Sequence, residues 1–165
     1  VVLDSAVDDD ESDLEIRIAF DFDGVLVDDE SESVMQSKSL EAFHAHEAKN
    51  VMRPHNPGPL TEFLKKINVI QSVELEKKKL QPGYSTRLRV SIVTARNAPS
   101  HERALNTLKS WGVMVNDAFF LGGVEKRRVL QVLSPHIFFD DQAGHLVGAA
   151  TVVPSVHIPF GVTNI

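Results

Sequence analysis

From Ile16 onward the chain switches repeatedly between two hydrophobic periods. Ile16-Arg17-Ile18-Ala19-Phe20-Asp21-Phe22 is a short, mostly apolar run ending in a polar loop at Gly24, which reads as a buried strand. Residues 30–50 have helix-forming composition, with Val34, Met35, Leu40 and Phe43 loosely at helical spacing, until Pro54, Pro57, Gly58 and Pro59 interrupt them. A second helix is predicted from about Pro59, with Leu60, Phe63, Leu64, Ile67 and Ile70 on one face. It runs into the charged segment 74–79 and stops at Pro82-Gly83. Strand patterns then follow at 88–94, 118–121, 137–139 and 153–158, separated by helical patterns at 99–111, 125–133 and 142–150. Strands alternating with helices imply right-handed crossovers. They predict an α/β fold: a parallel sheet covered by helices on both faces, with a helical insert after the first strand.

The opening stretch has a different character. Asp8, Asp9, Asp10, Glu11, Asp13 and Glu15 crowd it with like charges that repel and cannot pack. Residues 1–15 are therefore expected to be an acidic linker, with structure beginning at Ile16, a core formed by 16–27 and 85–165, and the insert spanning 28–84. The sum of 17 basic against 23 acidic residues, a net charge of -6, argues against a broad nucleic-acid-binding face. The absence of cysteine excludes a disulfide scaffold, a thiolate metal site and a cysteine nucleophile. No apolar run approaches the roughly 20 residues of a membrane helix, and no basic-then-apolar leader is present, so a soluble, cytoplasmic setting is expected.

Candidate chemistry gathers at the strand ends, where open parallel sheets bind ligands. Asp21 and Asp23 close the first strand and Thr94 the second. Lys126 opens the helix after the third, and Asp140 and Asp141 close the fourth. Any one Asp there is commonly just a cap for the next helix. The ordered set is harder to assign to capping. Four clustered carboxylates repel one another unless a cation joins them, and a hard, oxygen-preferring ion such as Mg2+ would leave positions open for phosphate oxygens. Lys126 and Thr94 could supply a charge and a hydroxyl donor to the same phosphate. The residue types point to Mg2+-dependent phosphoryl chemistry.

Asp21-Phe22-Asp23-Gly24-Val25-Leu26, Ile92-Val93-Thr94-Ala95-Arg96, Lys126 and Ile137-Phe138-Phe139-Asp140-Asp141 resemble the four ordered motifs of the haloacid dehalogenase superfamily. The resemblance narrows to the cytosolic 5'-nucleotidase type I family through Asp28-Asp29-Glu30-Ser31-Glu32, His46-Glu47, Gly58-Pro59-Leu60, Thr94-Ala95-Arg96-Asn97-Ala98, Ser110-Trp111-Gly112 and His136-Ile137-Phe138-Phe139-Asp140-Asp141-Gln142. It implies a Rossmann-like core with a small helical cap, a nucleoside 5'-monophosphate substrate and Mg2+. By the same resemblance Asp21 is the nucleophile that forms an aspartyl-phosphate, and Asp23 is the general acid and then the base. Thr94 and Lys126 hold the phosphoryl group, and Mg2+ is bound by Asp21, the Asp23 carbonyl, and Asp140 or Asp141. Animal members carry a long N-terminal half ahead of the first motif, so the acidic opening is expected to be the cut edge of a longer protein, with that half or a second copy of the chain as partner.

The insert lies where this superfamily places a cap. Asp29, Ser31, Glu32, His46 and Asn50 are its polar candidates for contacting a nucleoside, beside Arg96 and Asn97 just after Thr94. Ordinary exposed helix residues would look the same. His44 and His46 point to different faces of a helix and have no thiol partner, which argues against zinc. A phosphoaccepting signalling domain uses similar residues, but its acidic pair comes first in the chain, whereas Asp140-Asp141 follows Lys126 here.

Overall fold

The computed structural model describes residues 1–3, 7 and 10–164, apart from the Thr163 side chain. A six-stranded sheet forms the centre, in the order β1-β6-β5-β2-β3-β4. Its strands are β1 (Val2–Leu3), β2 (Ile16–Phe20), β3 (Leu88–Thr94), β4 (Asp117–Phe120), β5 (Ile137–Asp140) and β6 (Ser155–His157). All pairings are parallel except that of β1 with β6. From β2 the chain builds outward through β3 and β4, then returns to the other side of β2 for β5 and β6. The strand order therefore reverses at β2, and a crevice opens beyond its C-terminal end.

Alternation along the strands supplies two apolar faces. Ile18, Phe20, Val90 and Ile92 pack with Leu64 and Ile67 of α3 (Thr61–Leu80) and with Ala104 and Leu108 of α4 (His101–Ser110). Ala19, Val93 and Phe138 pack on the opposite face with Leu130 of α5 (Lys126–Leu133) and with Leu146 and Ala149 of α6 (Ala143–Ala149). The expected α/β sheet covered on both faces is present. Among the described residues, no helix is long and apolar enough to cross a membrane.

Four expectations change. The helix expected over 30–50 is two helices, α1 (Glu30–Ser37) and α2 (Leu40–Lys49), because Ser39 turns fully extended and its side chain accepts from the Ala42 N–H to cap α2. Structure does not wait for Ile16: Val2 and Leu3 pair antiparallel with β6, whose open edge offers main-chain partners to an apolar segment. Asp4, Ser5, Ala6, Asp8 and Asp9, including part of the acidic run, lie outside the described residues. On α3 the expected apolar face is only half used. Leu64 and Ile67 are buried, but Ile70 is exposed while Asn68 and Gln71 are buried instead, bonding Met114 and Asn116 in the loop before β4. The last strand shrinks from 153–158 to Ser155–His157.

Candidate active site

β2 and β5, adjacent and parallel, deliver Asp21 and Asp140 side by side, and the start of α5 brings Lys126 between them. The Lys126 Nζ lies 2.7 Å from Asp21 and 2.8 Å from Asp140. All three are buried. Burial pushes the Asp21 carboxyl up to about 7; the Lys126 ammonium opposes this, while Asp140 and Asp23 add to it. Burial would also depress Lys126, but Asp21 and Asp140 outweigh it and hold its pKa above the usual value. Asp140 is held below the carboxylate range, burial being outweighed by Lys126 and His145. Its other oxygen accepts from the Gln142 N–H at 2.8 Å.

Gly24 turns the chain at φ +68°, and it packs so closely on Asp141 that a Cβ there would collide with the Asp141 carboxylate. Asp141 thus stands over the loop that carries Asp21 and Asp23. His157 reaches the Asp141 carbonyl at 2.9 Å from behind. Thr94 is buried at the end of β3, its Oγ accepting from the Arg96 N–H at 3.3 Å. Two cations, Lys126 and Arg96, face the four carboxylates Asp21, Asp23, Asp140 and Asp141. That imbalance, in a site whose donors are oxygens apart from the His145 ring beside Asp140, suits a divalent cation.

Arg96 is fully engaged by the protein. Its Nε and Nη2 fork onto Asp23 at 2.7 and 2.6 Å, its Nη1 donates to Glu47 and to the Ser100 carbonyl, and its Nη2 also meets His55 at 3.3 Å. Four of its five donors are taken by Asp23, Glu47 and the Ser100 carbonyl, and the fifth faces the His55 ring, so a substrate could gain a bond from Arg96 only by displacing one of these partners. Glu47 also bonds Ser31 and Arg103, and Arg103 reaches Glu30, which in turn meets His46. Burial would raise the Glu47 pKa, but His55 and Arg96 overcome it and set Glu47 far below the carboxylate range.

A cavity of about 90 Å³ opens among Asp21, Asp23, Thr94 and Asn97 on the sheet side and Glu32 and Phe43 on the α1–α2 side. Asn97 is brought there and bonds His44 at 3.1 Å, and Glu32 sits on the rim. Asp29 is not brought there: its carboxylate accepts from the Val162 N–H at 2.9 Å and ties down the C-terminal segment. Larger depressions, one beside α3 near Met114 and one at the N-terminal ends of β2, β3 and β4, lie away from these carboxylates. Asp28, Glu30 and His55 form a second cluster of metal-ligating types, but Arg103 and His46 already occupy the two Glu30 oxygens.

Sequence reasoning had no place for the links Glu47–Arg103, Glu47–His55 or Arg96–Asp23. One signal was available: Glu47 falls four residues after Phe43, on the same buried face of α2.

The 5'-nucleotidase family model matches residues 1–165. The chain belongs to the 5'-nucleotidase family. Human cytosolic 5'-nucleotidase 1B is 37% identical over 151 residues, 90% of this chain but 24% of that protein. The chain thus spans about a quarter of the length of this 5'-nucleotidase relative, and the shared part contains the whole carboxylate cluster.

Proposed function

We propose that this chain carries the catalytic site of a cytoplasmic, Mg2+-dependent phosphatase that hydrolyses nucleoside 5'-monophosphates through two displacements. The observation that carries the reading is the Asp21–Lys126–Asp140 cluster at the point where the strand order reverses, in a chain of the 5'-nucleotidase family. An Asp21 oxygen attacks phosphorus, forming an aspartyl-phosphate as the bond to the 5' oxygen breaks, and Asp23, having taken up a proton and released one arm of the Arg96 fork, delivers that proton to the departing nucleoside. Asp23, now ionised, takes a proton from water, and that water attacks phosphorus to release phosphate and restore Asp21. Lys126 and Thr94 hold the non-bridging oxygens.

Asp21, the Asp23 carbonyl, and Asp140 or Asp141 are the residues that would hold Mg2+. When bound, the ion adds positive charge against the phosphoryl oxygens and favours ionised Asp21. In the division we propose, α1 and α2 form the cap, with Glu32 and Asn97 facing the nucleoside, while α3 belongs to the core on which it packs. A cavity of about 90 Å³ is well below the roughly 300–1,000 Å³ of small-molecule sites, so this cap must move to admit a nucleotide. Phosphate release from nucleoside monophosphates and sugar phosphates, with and without Mg2+, tests the reading. Release that survives thorough chelation, or that favours sugar phosphates throughout, overturns it.

A further inference from the structure

We propose that Glu47, acting through Arg96, is a positioning residue for Asp23, so that the α1–α2 hairpin holds the acid–base carboxylate in place at the cavity while seated over the site. The inference rests on the phosphatase reading and assigns the hairpin a task beyond covering the substrate.

The geometry runs in one line. Asp23 is held by two parallel bonds from Arg96, a fork that fixes the plane of the carboxylate as well as its position. The guanidinium is itself fixed, lying 5.2 Å from the Phe22 ring centre and 5.5 Å from that of Phe43. On its far side it donates to Glu47, which is 1% exposed. Glu47 is held in turn by Ser31 of α1 at 2.8 Å, by Arg103 of α4 at 2.8 Å and by His55 at 3.4 Å. Both Phe43 and Glu47 belong to α2, so the hairpin supplies one face of the aromatic clamp and the anion behind it. Lifting α2 removes both, and Arg96 then has neither the clamp nor the charge that aims it at Asp23.

Such a buried ionic chain adds little stability that apolar residues of similar size could not supply. Here it ends on the carboxylate assigned to proton transfer, which is what a positioning role requires. Misaiming a reacting group by about 1 Å lowers turnover by roughly 10²-fold.

The test uses Glu47→Gln and Arg96→Lys in the whole chain, with Mg2+ present. Arg96→Lys keeps the charge facing Glu47 but loses the fork, and it serves if Glu47→Gln does not fold. Each variant is expected to lower kcat on a nucleoside monophosphate by about 10–10²-fold with KM changed less than about threefold. The loss should be several times smaller on an aryl phosphate whose leaving group needs no proton, and Glu47→Asp should recover part of it. Equal losses on both substrates, or no loss on the nucleotide, overturn the inference. A second readout is independent of turnover: in NMR the Arg96 Nε–H should exchange slowly and correlate with the Asp23 carboxylate in the native chain, and lose that protection in Glu47→Gln. Unchanged protection in Glu47→Gln also overturns it. A native chain that releases no phosphate from either substrate counts against the phosphatase reading, and the NMR result then decides the Glu47–Arg96–Asp23 link by itself.

Discussion

Asp21 and Asp23 stand two positions apart, yet their surroundings give them different characters. Asp21 is buried against Lys126 and other carboxylates, with its pKa raised from 3.8 to about 7. Between those values the folded chain binds a proton that the unfolded chain has released. The stability from this group is thus complete below about 3.8 and lost as pH rises toward 7. Asp21→Asn removes that liability, so without metal it should melt higher than the native chain at pH 8, by about 1 kcal/mol or more, with the gap closing near pH 4. Melts at both pH values check this, and a gap that widens toward acid contradicts the assignment. Asp23 lies at the cavity with Arg96 forked onto it. Asp23→Asn should leave Mg2+ affinity nearly intact, because the inferred contact is a main-chain carbonyl, while kcat on a nucleotide drops by roughly 10²–10⁴-fold. Calorimetric Mg2+ titration beside turnover assays separates the two effects; native turnover in this variant would remove Asp23 from the chemistry.

At the scale of elements, the helices between β2 and β3 are held by different forces. α3 is fixed by apolar burial: Leu64 is fully inaccessible in the sheet-facing cluster, whereas Ile70 is 56% exposed. Leu64→Ala should cost about 2–5 kcal/mol, and Ile70→Ala no more than about 1, as measured by urea unfolding. Comparable costs at both positions would mean that α3 packs in a different register. α2 buries only Phe43 and Glu47, and its start depends on the Ser39 cap. Ser39→Ala should weaken this helix by about 1 kcal/mol. Hydrogen exchange ought to show the loosening confined to α1 and α2, because Leu64 and Ile67 of α3 do not depend on that cap. Exchange rising equally in α3 would argue against a separately seated hairpin.

At the scale of the molecule, metal binding and folding should be linked through the carboxylate cluster. Asp21 would have to be ionised to ligate, so Mg2+ bound there would compete with the proton that burial favours. The increase in Tm caused by a fixed Mg2+ concentration should therefore grow from pH 5 to pH 8, steepening near pH 7. Thermal melts across that range decide it: a shift independent of pH would place the ion away from Asp21.

The sequence alone determined the elements and their chemistry wherever the signal is local. Alternating periods marked β2, β3, β5 and the helices that cover them, and the polar residues ending those strands fell at one end of the sheet because parallel strands share a direction. Asp21, Asp140 and Lys126 could thus be grouped before any contact was known. Contacts between segments that no period connects came only with the folded arrangement. β1 found an edge supplied by a strand more than 150 residues away. Arg96, expected from its strand-end loop to contact substrate, does line the cavity. Its donors also face Asp23, 73 residues earlier, and Glu47, 49 residues earlier. Ion pairs at such separations leave no trace in hydrophobic spacing, because they depend on which helix surfaces the apolar core has already brought together.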